Sequence, residues 1–257
     1  MKLAAVQYRP PRGRPQRARR DLARRVRAAI EAGADLVVLP EMATSGYVWS
    51  SAAELAPHAE EAIGPTLAAL GEAMSEAGRG AWVVCGFPER GADGALYNSA
   101  MVLRPDGQLA LCYRKVLLYS LDETWARPGR ERMQVPTPMG RLAPAICMDL
   151  NDDRLITWLH MTTPDILAFC TNWVAEEEPV HEWWRARTRG WRGWMVAANR
   201  WGEEEGVRFS GMSAILAPGG RVVASAEAED DAILVIDTRD FDKASPERTL
   251  PDLDRWS

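Results

Sequence analysis

The 257-residue chain has only three histidines, His58, His160 and His181, and no two stand at metal-ligand spacing. A histidine-built metal site is therefore not expected. Its four cysteines, at 85, 112, 147 and 170, include no Cys-x-x-Cys pair, and the chain is too long to need a disulfide scaffold. No stretch approaches the ~18 consecutive apolar residues of a membrane span. Gly86, Gly91 and Gly94 do not open a helix after a strand, so no phosphate loop is present. Residues 1–8 are too short an apolar run for a signal peptide and contain no small-residue cleavage site. They read as a first strand, and a cytoplasmic protein is expected.

Hydrophobic residues make up 47% of the chain, enough for a sizeable core. The net charge is −5, yet nine arginines lie between Arg9 and Arg27. Two readings compete, a nucleic-acid arm and the solvated face of a helix. Leu22, Val26, Ala29 and Ile30 recur at helical spacing, which leaves the arginines outside and favours the second. Neither nucleic acid nor membrane is an expected partner.

Strand-like and helix-like segments alternate. Strands are expected at 2–8, 36–39, 81–86, 142–147, 165–170, 194–199 and 232–237. Helices are expected at 16–32, 64–77, 153–160 and 179–193, with Pro65 suited to a first helical turn. Hairpins are expected around Arg104-Pro-Asp-Gly107, joining 98–103 to 108–113, and around Ala217-Pro-Gly-Gly220, joining 211–216 to 221–225. The pattern implies an α/β fold of mixed sheets covered by helices, in one domain spanning 1–257 with its core at about 2–237 and a polar tail over 241–257.

Two expected strands end in reactive side chains. The apolar run 141–146 rises from Gly140, reaches Cys147 and breaks at once into Asp149, Asn151, Asp152 and Asp153. That is how a buried strand delivers a thiol to a loop-lined rim. The run 35–39 ends in Pro40 and Glu41, and Pro40 stops the strand. A cysteine attacks as its thiolate and needs a proton acceptor. With no histidine at a strand end, Glu41 is the candidate base; taken alone, it reads more readily as a surface carboxylate or a cap. Lys115 follows another strand and reads as a snorkelling lysine or as a fixed cation for an oxyanion. Glu123 lies eight residues further on. Cys85, Cys112 and Cys170 sit inside apolar runs and read as small buried hydrophobes.

Leu39-Pro-Glu41, Tyr113-Arg-Lys115 and Ile146-Cys-Met-Asp149, in this order, resemble the motifs of the nitrilase (carbon–nitrogen hydrolase) superfamily. Ala5-Val-Gln7, Leu96-Tyr-Asn-Ser99, Ala198-Asn-Arg200, Ser210-Gly-Met-Ser213 and Pro218-Gly-Gly220 also match, so the resemblance spans about 2–237. It implies a four-layer α-β-β-α sandwich and a Glu-Lys-Cys triad: Cys147 as nucleophile, Glu41 as general base, and Lys115 with the Met148 backbone N–H at the oxyanion. It places Glu123 as a second glutamate near the substrate. The implied reaction is cleavage of a carboxamide through a thioester with release of ammonia, with no metal or organic cofactor. The implied partner is a small amide or a peptide N-terminus. A homodimer or larger homo-oligomer is expected by analogy.

Residues 118–125, 147–151 and 199–205 look most like the branch of protein N-terminal asparagine/glutamine amidases. The segment Asn151-Asp-Asp-Arg154 departs from the commoner continuation after the cysteine, and Ala186-Arg-Thr-Arg-Gly-Trp191 is a degraded family helix. Alternatives within the family are a small aliphatic or omega-amide, an N-carbamoyl substrate and a nitrile. A non-catalytic binding relative is the alternative outside enzymology. Six of the eleven tryptophans fall between Trp173 and Trp201; Trp173, after Asn172 at a strand end, is a candidate pocket wall beside Asn172 and Asp149.

Overall fold

The computed structural model describes residues 1–176 and 179–241. The expected tail lies outside them from residue 242 onward. In chain order the elements are β1 (Lys2–Gln7), α1 (Pro15–Glu31), β2 (Leu36–Val38), α2 (Ala52–Leu55), α3 (Pro65–Glu76), β3 (Trp82–Arg90), β4 (Leu96–Leu103), β5 (Leu109–Arg114), β6 (Val135–Thr137), β7 (Gly140–Ile146), α4 (Asp153–Thr162), β8 (Ile166–Cys170), α5 (Val180–Arg187), β9 (Trp194–Ala198), β10 (Trp201–Glu204), β11 (Val207–Ser210), β12 (Ala214–Ala217), β13 (Arg221–Ser225) and β14 (Ala232–Asp237).

Two six-stranded sheets result, ordered β14-β1-β2-β3-β4-β5 and β13-β12-β9-β8-β7-β6. Each has three parallel strands at its centre, β1-β2-β3 and β9-β8-β7, flanked by antiparallel ones. The sheets pack face to face, with β1 against β9 and β4 against β7. Strand alternation sorts the side chains. Leu3 and Ala5 of β1 join the core between the sheets, while Ala4 and Val6 join the core under α1 and α3. Both faces are therefore buried, as parallel sheets require. Leu155 and Leu159 of α4 and Trp184 of α5 close the far side. The layers run helix, sheet, sheet, helix, as the family resemblance implies.

The arginine-rich helix buries Leu22, Val26, Ala29 and Ile30 and turns its charges outward. Arg24 pairs with Asp21, and Arg27 reaches Glu76 of α3 at 3.1 Å. Other expectations need correction. The helix expected over 179–193 stops at Arg187, because Gly190 takes a left-handed φ of +81° and Trp191 folds back to donate from Nε1 to the Pro164 carbonyl at 3.2 Å. The hairpin β10–β11 lacks apolar alternation on its first strand and is turned by Glu205 and Gly206, at φ +49° and +79°. Two left-handed residues in succession suit the turn that matches strand twist. Cys112 is only partly buried, and its thiol donates to Glu89 at 3.6 Å, so it is not a plain core residue. Among the described residues no helix is long and apolar enough to cross a membrane.

Candidate active site

Four loops converge at the ends of parallel and neighbouring strands. Glu41 follows β2, Lys115 follows β5, Cys147 follows β7, and Thr171 and Asn172 follow β8. Glu41 is brought in by a close backbone crossing. An added Cβ at Gly86 of β3 would lie 2.5 Å from the Glu41 Cα and 2.5 Å from the Pro40 carbonyl oxygen. Only glycine leaves that crossing open. The Gly86 N–H donates to the Pro40 carbonyl at 3.1 Å and locks it.

Glu41 and Lys115 are completely buried. Lys115 Nζ donates to Glu41 Oε1 at 2.8 Å and to Asp122 Oδ2 at 2.6 Å. Asn98 Nδ2 bridges the same two carboxylates, at 2.7 Å to Glu41 Oε1 and 3.0 Å to Asp122 Oδ1. The Asn172 N–H donates to Glu41 Oε2 at 2.8 Å and also faces the Cys147 sulfur. One ammonium thus stands between two carboxylates, with a thiol beside them. Ions buried this deeply persist only when paired and hydrogen-bonded.

Burial pushes the Glu41 carboxyl above its ordinary range, and Lys115 only partly offsets it. Burial alone would lower the Lys115 ammonium. The charges of Asp122 and Glu41 outweigh it and hold Lys115 well above its ordinary range. The Cys147 thiol is pushed up to about 12, chiefly by burial and then by the Glu41 charge, against Lys115. Cys147 is 8% exposed, and its expected place on an open rim is corrected: the thiol is buried and rests protonated. It is also strained. Its φ is +42°, in a left-handed region that a side chain enters at a cost of about 1–3 kcal/mol.

Asp149 holds that conformation. The short helical turn 147–151 swings its carboxylate back, so that Oδ2 accepts from the Ile146 N–H at 3.0 Å and the Tyr113 hydroxyl at 2.7 Å. Oδ1 accepts from the Val116 and Leu117 N–H groups at 2.9 Å each. Four donors saturate a carboxylate that is 1% exposed, so the expectation that Asp149 meets a substrate is corrected: it ties the cysteine loop to the lysine loop. Glu123 is corrected too. In the turn Asp122–Thr124 its side chain is exposed, and Asp122, one residue earlier, points inward to Lys115. Trp173 donates its N–H to Asn199 Oδ1 at 2.9 Å, and its ring packs with Phe169 and Trp184, centroids 6.4 and 6.0 Å away. Met148 is half-buried. Its N–H lies in the first turn of the short helix, where no intrahelical partner exists.

Reading the sequence by residue type missed Asp122 and Tyr47 and assigned no part to Asn98. The tyrosine is 1% exposed and lies in a third apolar cluster, with Met42, Trp125 and Phe209. Among the described residues no three His, Cys, Asp or Glu side chains stand together as a metal would require.

The model of the carbon-nitrogen hydrolase family matches residues 2–245. This chain belongs to that family. A Pseudomonas protegens protein described as a hydrolase in the pqqF 5' region is 32% identical over 97% of this chain and 86% of its own length. The protein N-terminal amidase of Schizosaccharomyces pombe is 25% identical over 70% of this chain and 78% of its own. A solved amidase of Nesterenkonia AN1, of the nitrilase superfamily, superposes with a TM-score of 0.80 at 22% identity, covering 94% and 92% of the two chains. That likeness shows the fold. Like its family, this carbon-nitrogen hydrolase acts on carbon–nitrogen bonds other than peptide bonds.

Proposed function

We propose that this carbon-nitrogen hydrolase cleaves a primary carboxamide, with Cys147 as nucleophile and Glu41 as the proton carrier. The side-chain amide of an N-terminal asparagine or glutamine is the leading substrate. The observation that carries the reading is the buried set of Glu41, Lys115 and Asp122 against the Cys147 thiol. In the proposed step the sulfur bonds to the amide carbon while the thiol proton passes to Glu41. The carbonyl oxygen gains the negative charge. The Lys115 ammonium and the Met148 N–H receive it. When the tetrahedral intermediate collapses the C–N bond breaks, Glu41 returns its proton to the nitrogen, and ammonia leaves. Water then attacks the thioester, losing a proton to Glu41, and the acid product frees the thiol.

The charge balance supports an uncharged amide. Two carboxylates face one ammonium, so a substrate carboxylate close to the reacting carbon would be repelled. That disfavours N-carbamoyl amino acids. The peptide reading draws on motif similarity in residues 147–151 and on the likeness to the fission-yeast amidase. The test is an ammonia-release screen with Asn- and Gln-starting peptides, free glutamine, aliphatic amides, N-carbamoyl amino acids and a nitrile. Amides should release ammonia and Cys147→Ala should release none. Activity retained in Cys147→Ala would overturn the assignment.

A further inference from the structure

The Tyr47 hydroxyl is buried and has no hydrogen-bond partner among the described residues. Leaving a buried hydroxyl unpaired is destabilising, and folded proteins keep few such groups. Phenylalanine would fill the same space without that penalty. Nor is the ring loosely placed. Glu204 Oε1 accepts from the Tyr47 N–H at 2.7 Å and the Val48 N–H at 2.6 Å, and Glu204 Oε2 accepts from Arg200 Nη1 at 2.7 Å. The Phe209 ring meets Tyr47 edge to face, with centroids 6.0 Å apart at 83°. Hairpin β10–β11 therefore holds the tyrosine from behind.

What it is held against is the reaction centre. Lys115 Nζ lies 5.8 Å from the ring centroid. Burial, and after it the charges of Asp122 and Glu41, keep the phenol protonated, well above its ordinary range. The hydroxyl is thus a neutral group with one proton to donate and lone pairs to accept. Both polar side-chain atoms of Asn172, on the loop beside Glu41, are buried and have no partner among the described residues either. A shell of uncharged polar atoms around a charged cluster suits a ligand that is itself uncharged and both donates and accepts. A carboxamide has that character and the carboxylate product does not.

On the amidase reading above, we propose that Tyr47 is a specificity-determining contact whose hydroxyl hydrogen-bonds the substrate carboxamide and selects it over the carboxylate. The test compares the full-length protein with Tyr47→Phe, using two alkylating agents at pH 9. Iodoacetamide carries a carboxamide and iodomethane does not; each transfers its carbon to the Cys147 sulfur and releases iodide. Labelling of Cys147 is read by mass spectrometry of its peptide. Tyr47→Phe should slow iodoacetamide at least fivefold and leave iodomethane within about 1.5-fold. For amide hydrolysis it should lower kcat/KM about tenfold and weaken the preference for amide over carboxylate in product inhibition. Equal slowing of both reagents would mark a merely structural role and overturn the proposal, as would no change in either. If the wild type releases ammonia from no amide, the functional reading fails, while the labelling ratio still reports on Tyr47.

Discussion

Replacing Glu41 by glutamine should make Cys147 more reactive while abolishing turnover. The thiol is held at about 12 by burial and by the Glu41 charge, with Lys115 opposing. Glutamine keeps the shape and removes the charge. A unit charge one contact away is worth about 3 kcal/mol at an effective dielectric of about 20, or roughly two pKa units. Lys115 then acts on the sulfur with one carboxylate fewer to neutralise it. The thiolate fraction at pH 8 should rise about 100-fold. Nucleophilicity falls with basicity, with a Brønsted slope of about 0.4–0.5, which returns a factor of roughly eight. Labelling by iodomethane should therefore speed up about tenfold, with its pH midpoint moved down. Ammonia release should fall by about 10²–10⁴, the usual contribution of a positioned general base. The assay is alkylation from pH 6 to 10, read by intact mass and by peptide mapping that separates Cys147 from the partly exposed Cys112. If labelling were unchanged or slower in Glu41→Gln, the Glu41 charge would not act on the sulfur, and the account of the resting thiol would be wrong.

Asp122→Asn leaves Lys115 with one charged partner and should lower kcat/KM about 100-fold, whereas Glu123→Gln should stay within about twofold; steady-state kinetics on one amide substrate decides between the neighbours. Asp149→Asn turns an amide donor toward two of the four N–H and O–H donors in a buried cap, and should cost about 2–4 kcal/mol, read as a lower urea midpoint.

The layered fold was legible because parallel strands buried on both faces leave apolar runs bounded by turn residues. Residues 35–39 and 142–146 needed no more than that. The turns at Gly107 and Gly220 were legible from Pro-x-Gly spacing: Gly107 and Gly220 donate to the Arg104 and Ala217 carbonyls at 2.9 Å each. What escaped was set by tertiary contact. The strand Trp201–Glu204 is polar, and its buried Glu204 makes sense only against the Tyr47 loop and Arg200. Asp122 and Glu123 are adjacent and alike in charge; only the tight turn at 122–124 decides which faces Lys115. Glu41 and Cys147 were legible as strand ends, and only the family resemblance set Lys115 beside them. The state of the thiol was not, because burial acts on it from every side and no neighbour in sequence reveals it.

On the proposed function, with Cys147 as nucleophile and Glu41 as base, these properties explain how a cysteine can serve without histidine. A thiol activated in advance must sit near a cation, and its anion would be stable before any substrate arrives. Here the cation is shared between two carboxylates, so the sulfur keeps its proton and stays unreactive at rest. The base is matched to that task. Burial raises Glu41 above the ordinary carboxylate range, which narrows the gap to the thiol and makes it a stronger acceptor when the sulfur attacks. The Lys115 charge opposes that rise. As the thiol proton passes to Glu41 and negative charge builds on the substrate oxygen, the ammonium next to Glu41 gains an anion to stabilise while Glu41 loses its own. On the proposed mechanism the net charge of the cluster is therefore unchanged: the negative charge passes from Glu41 to the substrate oxygen, where groups held in place before the reaction receive it, which is the condition for binding the transition state more tightly than the substrate.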